Sequence, residues 1–576
     1  MSASKLGERL TIVQHAARWS VATVKGRLAT APGLAWRLVS ARAETFLFVP
    51  SDLRPTDPSL ADELAAGQMG LGGAMINLGG ASPFSINAPN RAWARALHGF
   101  AWLGSLRAAE DAFALDMARR LVADWCRRNR SRPGSRGVAA EPAVIARRVS
   151  SFIVNAGFLL EDAEPEFYHL FTRTLGSELR ALDRASRRAT PGYPSLACAM
   201  SLTLACLAAD GHGGDLPHAE VRLLGELRQQ ILPDGGHISR NAEIVLEALL
   251  DLLPIKQCYM ARQMTVPPEL VGTIGRMLEH VRAMTTAPGT LARFNGVGAA
   301  QVEAVATVLA LGTVHTPPPT SDAGPSGYAR LQCGDTTVIV DCGRAPPLLH
   351  SGLAHAGALS FEMAHAGASI IVNAGAPPPI HGRAAADARA TASHSTLVLD
   401  EQSSARLIRS SHIERWAGGP GLIGPDSVVA GLLEIDGEAR LVAQHNGYLS
   451  RFGLIHERRL TLDPSGLILE GVDVLRPPSG TLRLPRDVPV ALHFHLPAGA
   501  RWSAQGQDAL LIDSASGPVW RFTVSGARVS LEAATHYAQS QGPSPTRKIV
   551  ARTATPGETT INWRLELVRE PETIHR

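Results

Sequence analysis

Apolar residues recur at intervals of three and four positions through the middle of the chain, from about residue 93 to residue 311. The segments LRAAEDAFALDMARRLVADWCRRN and AEIVLEALLDLL show the pattern clearly. This spacing places the apolar side chains on one face of an α-helix, and short polar links separate the successive segments. The pattern therefore predicts a helical bundle or an α/α toroid over residues 91–314.

The period of the apolar pattern falls to two after the segment HTPPPTSDAGPSG, residues 315–327, whose composition is that of a linker. Segments such as YARLQCGDTTVIVDCG, STLVLD and VALHFHL read as strands bounded by turn residues. They predict a large antiparallel β-sandwich over residues 328–576. Residues 1–90 carry Pro and Gly clusters and are predicted to be irregular. The expected fold is thus multi-domain, a helical toroid followed by a β-sandwich.

Composition agrees with an ordered globular protein, with 45% hydrophobic and 19% charged residues among 576. The net charge of +4 is too small to indicate a nucleic-acid partner. Arginine makes up nearly all of the 56 basic residues, which reflects either compositional bias or a preference for carboxylate ligands such as uronic acids. The six cysteines form no C-x-x-C pair and are predicted to be buried free thiols.

The N-terminal stretch MSASKLGERLTIVQHAARWSVATVKGRL is basic and amphipathic. It lacks the apolar core and cleavage site of a signal peptide, and no transmembrane segment is predicted anywhere in the chain. A solvated helix and a helix lying on a membrane surface are both open interpretations of this stretch.

The stretch HAGALSFEMAHAGASIIVNAG, residues 355–375, predicts two strands joined by a turn near residues 365–367. His355 opens the first strand and Asn373 closes the second, while His394 begins the next strand. Two imidazoles and an amide oxygen on adjacent strands could bind a divalent metal. The alternative is that both histidines are hydrogen-bonded residues of the sandwich.

The sandwich half resembles the C-terminal domain of the heparinase II/III family of polysaccharide lyases. The resemblance rests on the segments HAGALSFE, IIVNAG, RATASHSTLVLD, HNGY and HERRL, and more weakly on ILPDGGHISRN and RFNGVG in the helical half. It implies β-elimination on an acidic polysaccharide that contains uronic acid. It also implies the cell envelope or periplasm of a bacterium. Because no signal peptide is seen, the cytoplasm is the alternative location.

Several positions depart from the family pattern. Leu353 and Gly357 stand where the family has the first His and the Asp of a His-x-His-x-Asp motif, and Ile244 and Val245 stand at the place of its Tyr-His pair. The family's zinc ligands, His, Asp and His, correspond to His355, Asn373 and His394. Because Asn is a poor zinc ligand, the resemblance implies a zinc site that is weak or absent. No nucleotide-cofactor motif is found.

A lyase needs a base, an acid and a group that neutralises the uronate carboxylate. The best substitutes lie in DGGHISRNAE, with His237 as acid or base, Arg240 as neutralising group and Asn241 as hydrogen-bond donor. The alternative is a tight turn followed by a helix cap at Asn241. Tyr193 and Tyr448 are the candidate substrate-binding phenols, although Tyr448 also fits a framework role.

Three functions stay open at this point. The first is a lyase with its site between the helical domain and the sandwich, with an acidic polysaccharide as partner. The second is a glycan-binding or scaffold protein of the cell envelope that keeps the fold without the chemistry. The third is a metal-dependent hydrolase that uses His355 and His394. The sequence does not indicate an oligomeric state.

Overall fold

Helices dominate the first half of the chain, as the apolar pattern predicts. The computed structural model describes residues 45–129, 137–286, 289–299, 302–312, 322–377, 382–480, 484, 486–504, 509–514, 517–538 and 542–570. The amphipathic stretch at the N-terminus, up to residue 44, lies outside the described residues. The helices of this half are α1 (Ser59–Ala65), α2 (Arg91–Gly99), α3 (Leu103–Ala108), α4 (Ala112–Asn129), α5 (Pro142–Val154), α6 (Ala156–Leu160), α7 (Pro165–Ser186), α8 (Tyr193–Ala208), α9 (Leu216–Gln230), α10 (Ala242–Ala261), α11 (Pro268–Met284) and α12 (Val302–Ala310).

Two of these helices, α8 and α10, form the centre of the helical domain. Their residues are buried on nearly every side, which fits a sequence that is apolar all round rather than along one stripe. Helices α4 and α7 instead bury one face and expose the other, as amphipathic sequences do. One continuous apolar core runs through these helices.

Residues 45–90 are more ordered than the sequence predicts. They contain α1 and a short antiparallel hairpin of β1 (Gln68–Leu71) and β2 (Ala74–Asn77). Met69 on β1 is fully buried in the core of the helical domain. The Pro and Gly clusters therefore mark the turns of a packed segment and not an irregular tail.

Strands form most of the second half. They are β3 (Tyr328–Cys333), β4 (Thr336–Asp341), β5 (Phe361–His365), β6 (Ala368–Ile371), β7 (Leu397–Leu399), β8 (Arg406–Ile408), β9 (Gly421–Ile423), β10 (Val428–Ile435), β11 (Glu438–His445), β12 (Ile455–Leu462), β13 (Ile468–Arg476), β14 (Val488–His495), β15 (Arg501–Ala504), β16 (Ala509–Asp513), β17 (Val519–Ser525), β18 (Arg528–His536), β19 (Ser544–Thr555) and β20 (Thr559–Arg569). Three short helices interrupt them, α13 (Gly382–Ala388), α14 (Ser411–Ala417) and α15 (Leu449–Phe452).

The largest sheet has the strand order β10-β11-β12-β13-β20-β17-β16-β15, and all its pairs are antiparallel. Two four-stranded sheets, β18-β19-β14-β7 and β3-β4-β5-β6, share one apolar core with it. Phe361, Phe494 and Trp563 pack together in that core, with ring centroids 5.0 to 6.2 Å apart. The prediction of a helical half followed by an antiparallel sandwich is confirmed.

The hairpin predicted over residues 355–375 is present, but it is shorter than the sequence indicates. His365 pairs with Ala368, so the turn lies where it is predicted. The first strand starts at Phe361, and His355 lies in the loop before it. His355 therefore does not open a strand, because the backbone from residue 354 to 360 is held by loop contacts instead of a sheet ladder.

Candidate functional site

The predicted catalytic segment lies between α9 and α10, where the helical domain meets the sandwich. Gly235 has a φ of +82°, and a Cβ atom there would come 2.0 Å from the carbonyl oxygen of Arg276. Only glycine fits such a position, because it alone adopts left-handed backbone without a side chain to collide. The tight turn that the sequence suggests at this place is confirmed.

His237 follows that turn and is buried. Its Nδ1 lies 2.6 Å from the hydroxyl of Ser239, and its Nε2 lies 3.0 Å from the Oε1 of Gln230. Burial, together with the smaller effect of the nearby His350, lowers the pKa of His237 to about 3. The imidazole is therefore neutral near pH 7, and both of its nitrogens already have protein partners.

Arg240 joins the two halves of the molecule. Its Nη2 lies 2.5 Å from Oδ1 of Asp341, at the end of β4, and both side chains are buried. Its Nε donates to the carbonyl oxygen of Ser326 at 2.7 Å, and Nη1 to that of Arg344 at 3.1 Å. These acceptors lie in the sandwich and at the end of the linker that leads into it. The guanidinium expected to neutralise a uronate is thus bound to a carboxylate of the protein itself.

Tyr328 and Asn295 extend this contact into a network. The guanidinium of Arg240 lies 4.7 Å from the centre of the Tyr328 ring, and the Tyr328 hydroxyl donates to the carbonyl oxygen of Arg240 at 2.5 Å. Asn295 donates from Nδ2 to the Tyr328 hydroxyl at 2.8 Å and to Asp341 at 3.2 Å. Its Oδ1 accepts from the backbone N–H of His355 at 3.2 Å. The network therefore leads from the predicted catalytic segment to the predicted metal residues.

Asn241 is the N-cap of α10. Its Oδ1 accepts from the backbone N–H groups of Glu243 at 2.8 Å and Ile244 at 3.3 Å. A cap of this kind satisfies N–H groups that have no partner within the helix. The helix-cap alternative weighed from the sequence describes this contact.

Tyr193 lies at the start of α8 and is half-buried. Its hydroxyl accepts from Nη2 of Arg147 at 3.2 Å, and Arg147 in turn forms an ion pair with Asp251 at 2.8 Å. Burial raises the pKa of Tyr193 to about 12. The phenol is therefore protonated near neutral pH and can donate a hydrogen bond.

Tyr448 lies far from Tyr193, inside the sandwich. It is fully buried and donates from its hydroxyl to the carbonyl oxygen of Leu397 at 2.8 Å. The structure thus does not bring the two predicted substrate-binding phenols together.

His350 is a residue of this region that the sequence does not single out. Its ring centre lies 6.5 Å from that of His237, and its Nδ1 is 3.3 Å from the place where a Cβ on Gly192 would stand. It is half-buried, and burial lowers its pKa. The signal available in the sequence is its position in LLHSGLAH, just ahead of Leu353. His350 brings an imidazole to the boundary between the two domains.

The positions that depart from the family pattern differ in their exposure and in the space around them. Leu353 exposes half of its side chain, whereas Val245 is completely buried. A Cβ on Gly357 would lie 2.8 Å from Cδ2 of His394, so an aspartate at that position would collide with the histidine. The position therefore has no room for an acidic side chain while His394 keeps this conformation.

His355 and His394 come into contact through loops, and Asn373 bonds to the backbone of Ser395, the residue after His394. Nδ1 of His355 lies 3.1 Å from Nε2 of His394. Nδ1 of His394 donates to the carbonyl oxygen of Ala390 at 2.9 Å, which leaves its Nε2 unprotonated. Oδ1 of Asn373 accepts from the N–H of Ser395 at 2.9 Å, while its buried Nδ2 has no hydrogen-bond partner among the described residues.

This donor set does not fit a zinc site. Two imidazole nitrogens face each other, but the third group is a neutral amide, and zinc sites in proteins take imidazole, thiolate or carboxylate ligands. Within the described residues, no group of three or more His, Cys, Asp and Glu side chains is placed to hold a metal ion.

Zinc binding provides the first test of this region. We expect the protein to bind zinc weakly, and we expect Asn373→Asp to raise the zinc affinity because it replaces the amide by a carboxylate ligand. Zinc content after dialysis and a competition titration with a chromophoric chelator would measure both. The double variant Asn373→Asp with His394→Ala is the control, and it should lose the gain. Full zinc occupancy in the unmodified protein would contradict the expectation.

A second polar cluster lies within the sandwich. Asp473 accepts from Nε2 of His456 at 2.7 Å, from Nε of Arg458 at 2.8 Å and from the indole N–H of Trp563 at 2.8 Å. His445 contacts the other nitrogen of His456 at 3.2 Å. All of these side chains are buried. The contacts tie the neighbouring strands β11, β12, β13 and β20 together.

Comparison with known proteins agrees with this architecture. Residues 315–564 match the family model described as heparinase II/III-like, C-terminal. FtsZ-localized protein C of Caulobacter vibrioides (strain NA1000 / CB15N) is 31% identical over 504 residues, which is 85% of this chain and 84% of that protein. The chain therefore belongs to the heparinase II/III-like family, which the sequence resemblance indicated.

Solved structures show the same fold. A heparinase III crystal structure aligns with a TM-score of 0.66 and 13% identity, covering 94% of this chain and 87% of the other. Heparan sulfate lyase HepC from Pedobacter heparinus aligns with a TM-score of 0.55 and 14% identity, covering 92% and 86%. At this level of identity the likeness shows the fold alone, a helical toroid followed by a β-sandwich. Within the described residues, no helix is both long and apolar enough to cross a bilayer.

Proposed function

We propose that this protein is a bacterial division protein that assembles with FtsZ and uses the lyase fold as a binding body without lyase chemistry. The support for FtsZ is the relative of 31% identity, whose name describes it as localised by FtsZ and which aligns along 85% of this chain. A resemblance of that length extends through both domains. It therefore concerns the whole molecule and not one shared module.

The proposed absence of lyase catalysis is supported above all by the contacts of Arg240. A lyase needs a cation that is free to bind the substrate carboxylate, and here the guanidinium is buried against Asp341 and backbone carbonyls. His237 is neutral and both of its ring nitrogens are hydrogen-bonded, and Asn241 caps a helix. These side chains are therefore also occupied by contacts within the protein. Leu353 and Val245 cannot accept or donate a proton.

The six cysteines support a cytoplasmic location for this function. All of them are free thiols, and five are buried. Secreted proteins commonly use paired cysteines, whereas thiols persist in the reducing cytoplasm. Of the two locations that the sequence leaves open, we therefore propose the cytoplasm rather than the cell envelope.

Lyase activity on an acidic polysaccharide is the second candidate function. It is favoured by the likeness to heparinase III over nearly the whole chain. In that case His237, Arg240 and Asn241 would serve as the catalytic groups and Tyr193 as a substrate contact. The site would lie between the helical domain and the sandwich.

Two measurements separate these candidates. Purified protein should sediment with FtsZ polymers in the presence of GTP and remain in the supernatant without FtsZ. The same preparation should give no ultraviolet absorbance from unsaturated uronate when it is incubated with heparin, heparan sulfate, alginate and polygalacturonate. Heparinase III serves as the positive control on heparan sulfate. A rising absorbance on any of these polysaccharides would establish the lyase instead, and failure to sediment with FtsZ would remove the first proposal.

A further inference from the structure

Strand β10 is an open edge of the largest sheet. It pairs with β11 on one side, and among the described residues no strand pairs with its other side. The carbonyl oxygen of Ser427, just before the strand, accepts from the N–H of Asn446 next to β11 and so points inward. Since these directions alternate along a strand, the outward N–H and C=O groups belong to Val428, Ala430, Leu432 and Glu434.

One face of this edge is also apolar and exposed. Val429, Leu433 and Ile435 lie on the side of β10 that turns away from the core, and they are 54%, 58% and 42% exposed. Val442 on β11 is 42% exposed and pairs with Gly431, so it lies between Val429 and Leu433 on the same face. A Cβ atom on Gly431 would meet no atom within 4 Å. The result is a continuous apolar stripe beside an unpaired backbone edge.

Proteins usually protect such edges with lysine, proline, a bulge or a covering segment. The sequence of β10, VVAGLLEI, contains neither lysine nor proline, and its pairing with β11 runs without a register shift. The edge is therefore able to accept another strand. Peptide recognition by strand addition uses this arrangement, with backbone hydrogen bonds for affinity and alternate side chains for specificity.

Charge at the two ends of the strand restricts what can bind. Asp426 lies before β10, while Glu434 and Asp436 lie at its end, and all three are exposed. None of the three has an ion-pair partner among the described residues. A segment with basic residues at both ends would complement these carboxylates.

We propose that β10 binds an extended segment of a protein partner as an added antiparallel strand. That segment carries apolar residues at alternate positions, which cover Val429 and Leu433, and basic residues at its ends. A second copy of this chain fits less well. Antiparallel pairing of two β10 strands centred on Gly431 would place Asp426 opposite Asp436 of the second copy, and like charges that face each other are destabilising. The surface goes beyond the proposed function, because it does not require that the partner be FtsZ.

A synthetic peptide tests the surface directly. The probe is a fluorescein-labelled peptide of alternating valine and threonine, matched to the eight residues of β10, with lysines at both ends. Its fluorescence anisotropy should rise saturably with the full-length protein, and added salt should weaken the binding. Leu433→Asn, which removes an exposed apolar side chain, should weaken it by about tenfold or more. Val568→Asn, at an exposed valine on β20, should not change it.

A proline variant tests the backbone contribution. Ala430→Pro removes one outward N–H group and leaves the hydrogen bonds to β11 in place, since proline is tolerated where the N–H faces solvent. The variant should also lower the affinity for the peptide by about tenfold or more. Its thermal unfolding midpoint should equal that of the unmodified protein. Absence of binding, equal binding by a peptide with glutamates at its ends, or unchanged binding by Leu433→Asn would overturn the proposal. A dimer that forms in sedimentation and is lost in Leu433→Asn would assign the edge to a second copy instead.

Discussion

Replacing Arg240 with methionine is expected to lower the free energy of unfolding by about 3–5 kcal/mol, because the change leaves Asp341 buried without its partner charge. Asp341 would keep only the weaker contacts from Asn295 and from the N–H of Gly343. The carbonyl oxygens of Ser326 and Arg344 would lose their donors as well. Urea unfolding followed by tryptophan fluorescence would measure the loss. Methionine retains most of the apolar volume, so the measured effect reports the charge and its hydrogen bonds.

Two further variants make this prediction specific. Arg120→Met breaks an exposed ion pair with Asp116 within α4 and should change the stability little, since exposed pairs contribute little. The double variant Arg240→Met with Asp341→Leu removes both charges and should recover much of the loss. An Arg240→Met protein as stable as the unmodified chain would show that the pair does not hold the two domains together. It would also free Arg240 for a substrate role.

Acidification from pH 7.5 to about pH 5 is expected to destabilise the protein by about 10 kcal/mol or more, which is comparable to the whole stability of a typical domain. Burial is the largest cause that lowers the pKa of a set of core histidines, namely His237, His355, His394, His445, His456, His493 and His495. In the unfolded chain each of them binds a proton near pH 6.5. The unfolded state then binds more protons than the folded state, so stability is retained above about pH 6.5 and lost as the pH falls toward the folded pKa values.

The slope of stability against pH shows whether these histidines cause the loss of stability. Each such histidine contributes about 1.4 kcal/mol per pH unit once the pH lies below the unfolded pKa. His493→Gln should therefore reduce the slope of stability against pH, because the folded pKa of His493 is lowered to about 3. His218→Gln is the control, since His218 is exposed on α9. A stability that stays constant between about pH 6.5 and pH 5 would contradict the expectation and would mean that these histidines accept protons within the folded protein.

The main features of the fold were accessible from the period of the apolar pattern. The segment AEIVLEALLDLL becomes α10, and YARLQCGDTTVIVDCG becomes the pair β3 and β4. The sequence pattern did not indicate β10, because VVAGLLEI does not alternate between apolar and polar residues and reads like part of a helix. Its strand conformation is set by pairing with β11. The order of residues 45–90 is hidden from the sequence for a similar reason, since their hairpin is stabilised by packing on the helical domain.

The candidate site could be located from the sequence but not interpreted fully. Asn241 as a cap and Gly235 in a turn depend on neighbouring residues, and the sequence carries both signals. The partner of Arg240 lies 101 residues away, and no local pattern links the two. His350 likewise gains its place beside His237 only when the sandwich packs on the helical domain. The sequence alone therefore could not show whether a polar side chain is free to bind a substrate, because its partners are set by the tertiary structure.

The contact between Arg240 and Asp341 has a practical consequence for dissecting the molecule by truncation. A cut within residues 315–327 would leave the arginine in one fragment and its aspartate in the other, each on a newly exposed surface. Tyr328, whose ring lies under the guanidinium, would be separated from it as well. Loss of binding in either fragment would then report misfolding and could not map the binding surface. Point changes on the intact chain are the sounder way to assign function to each half.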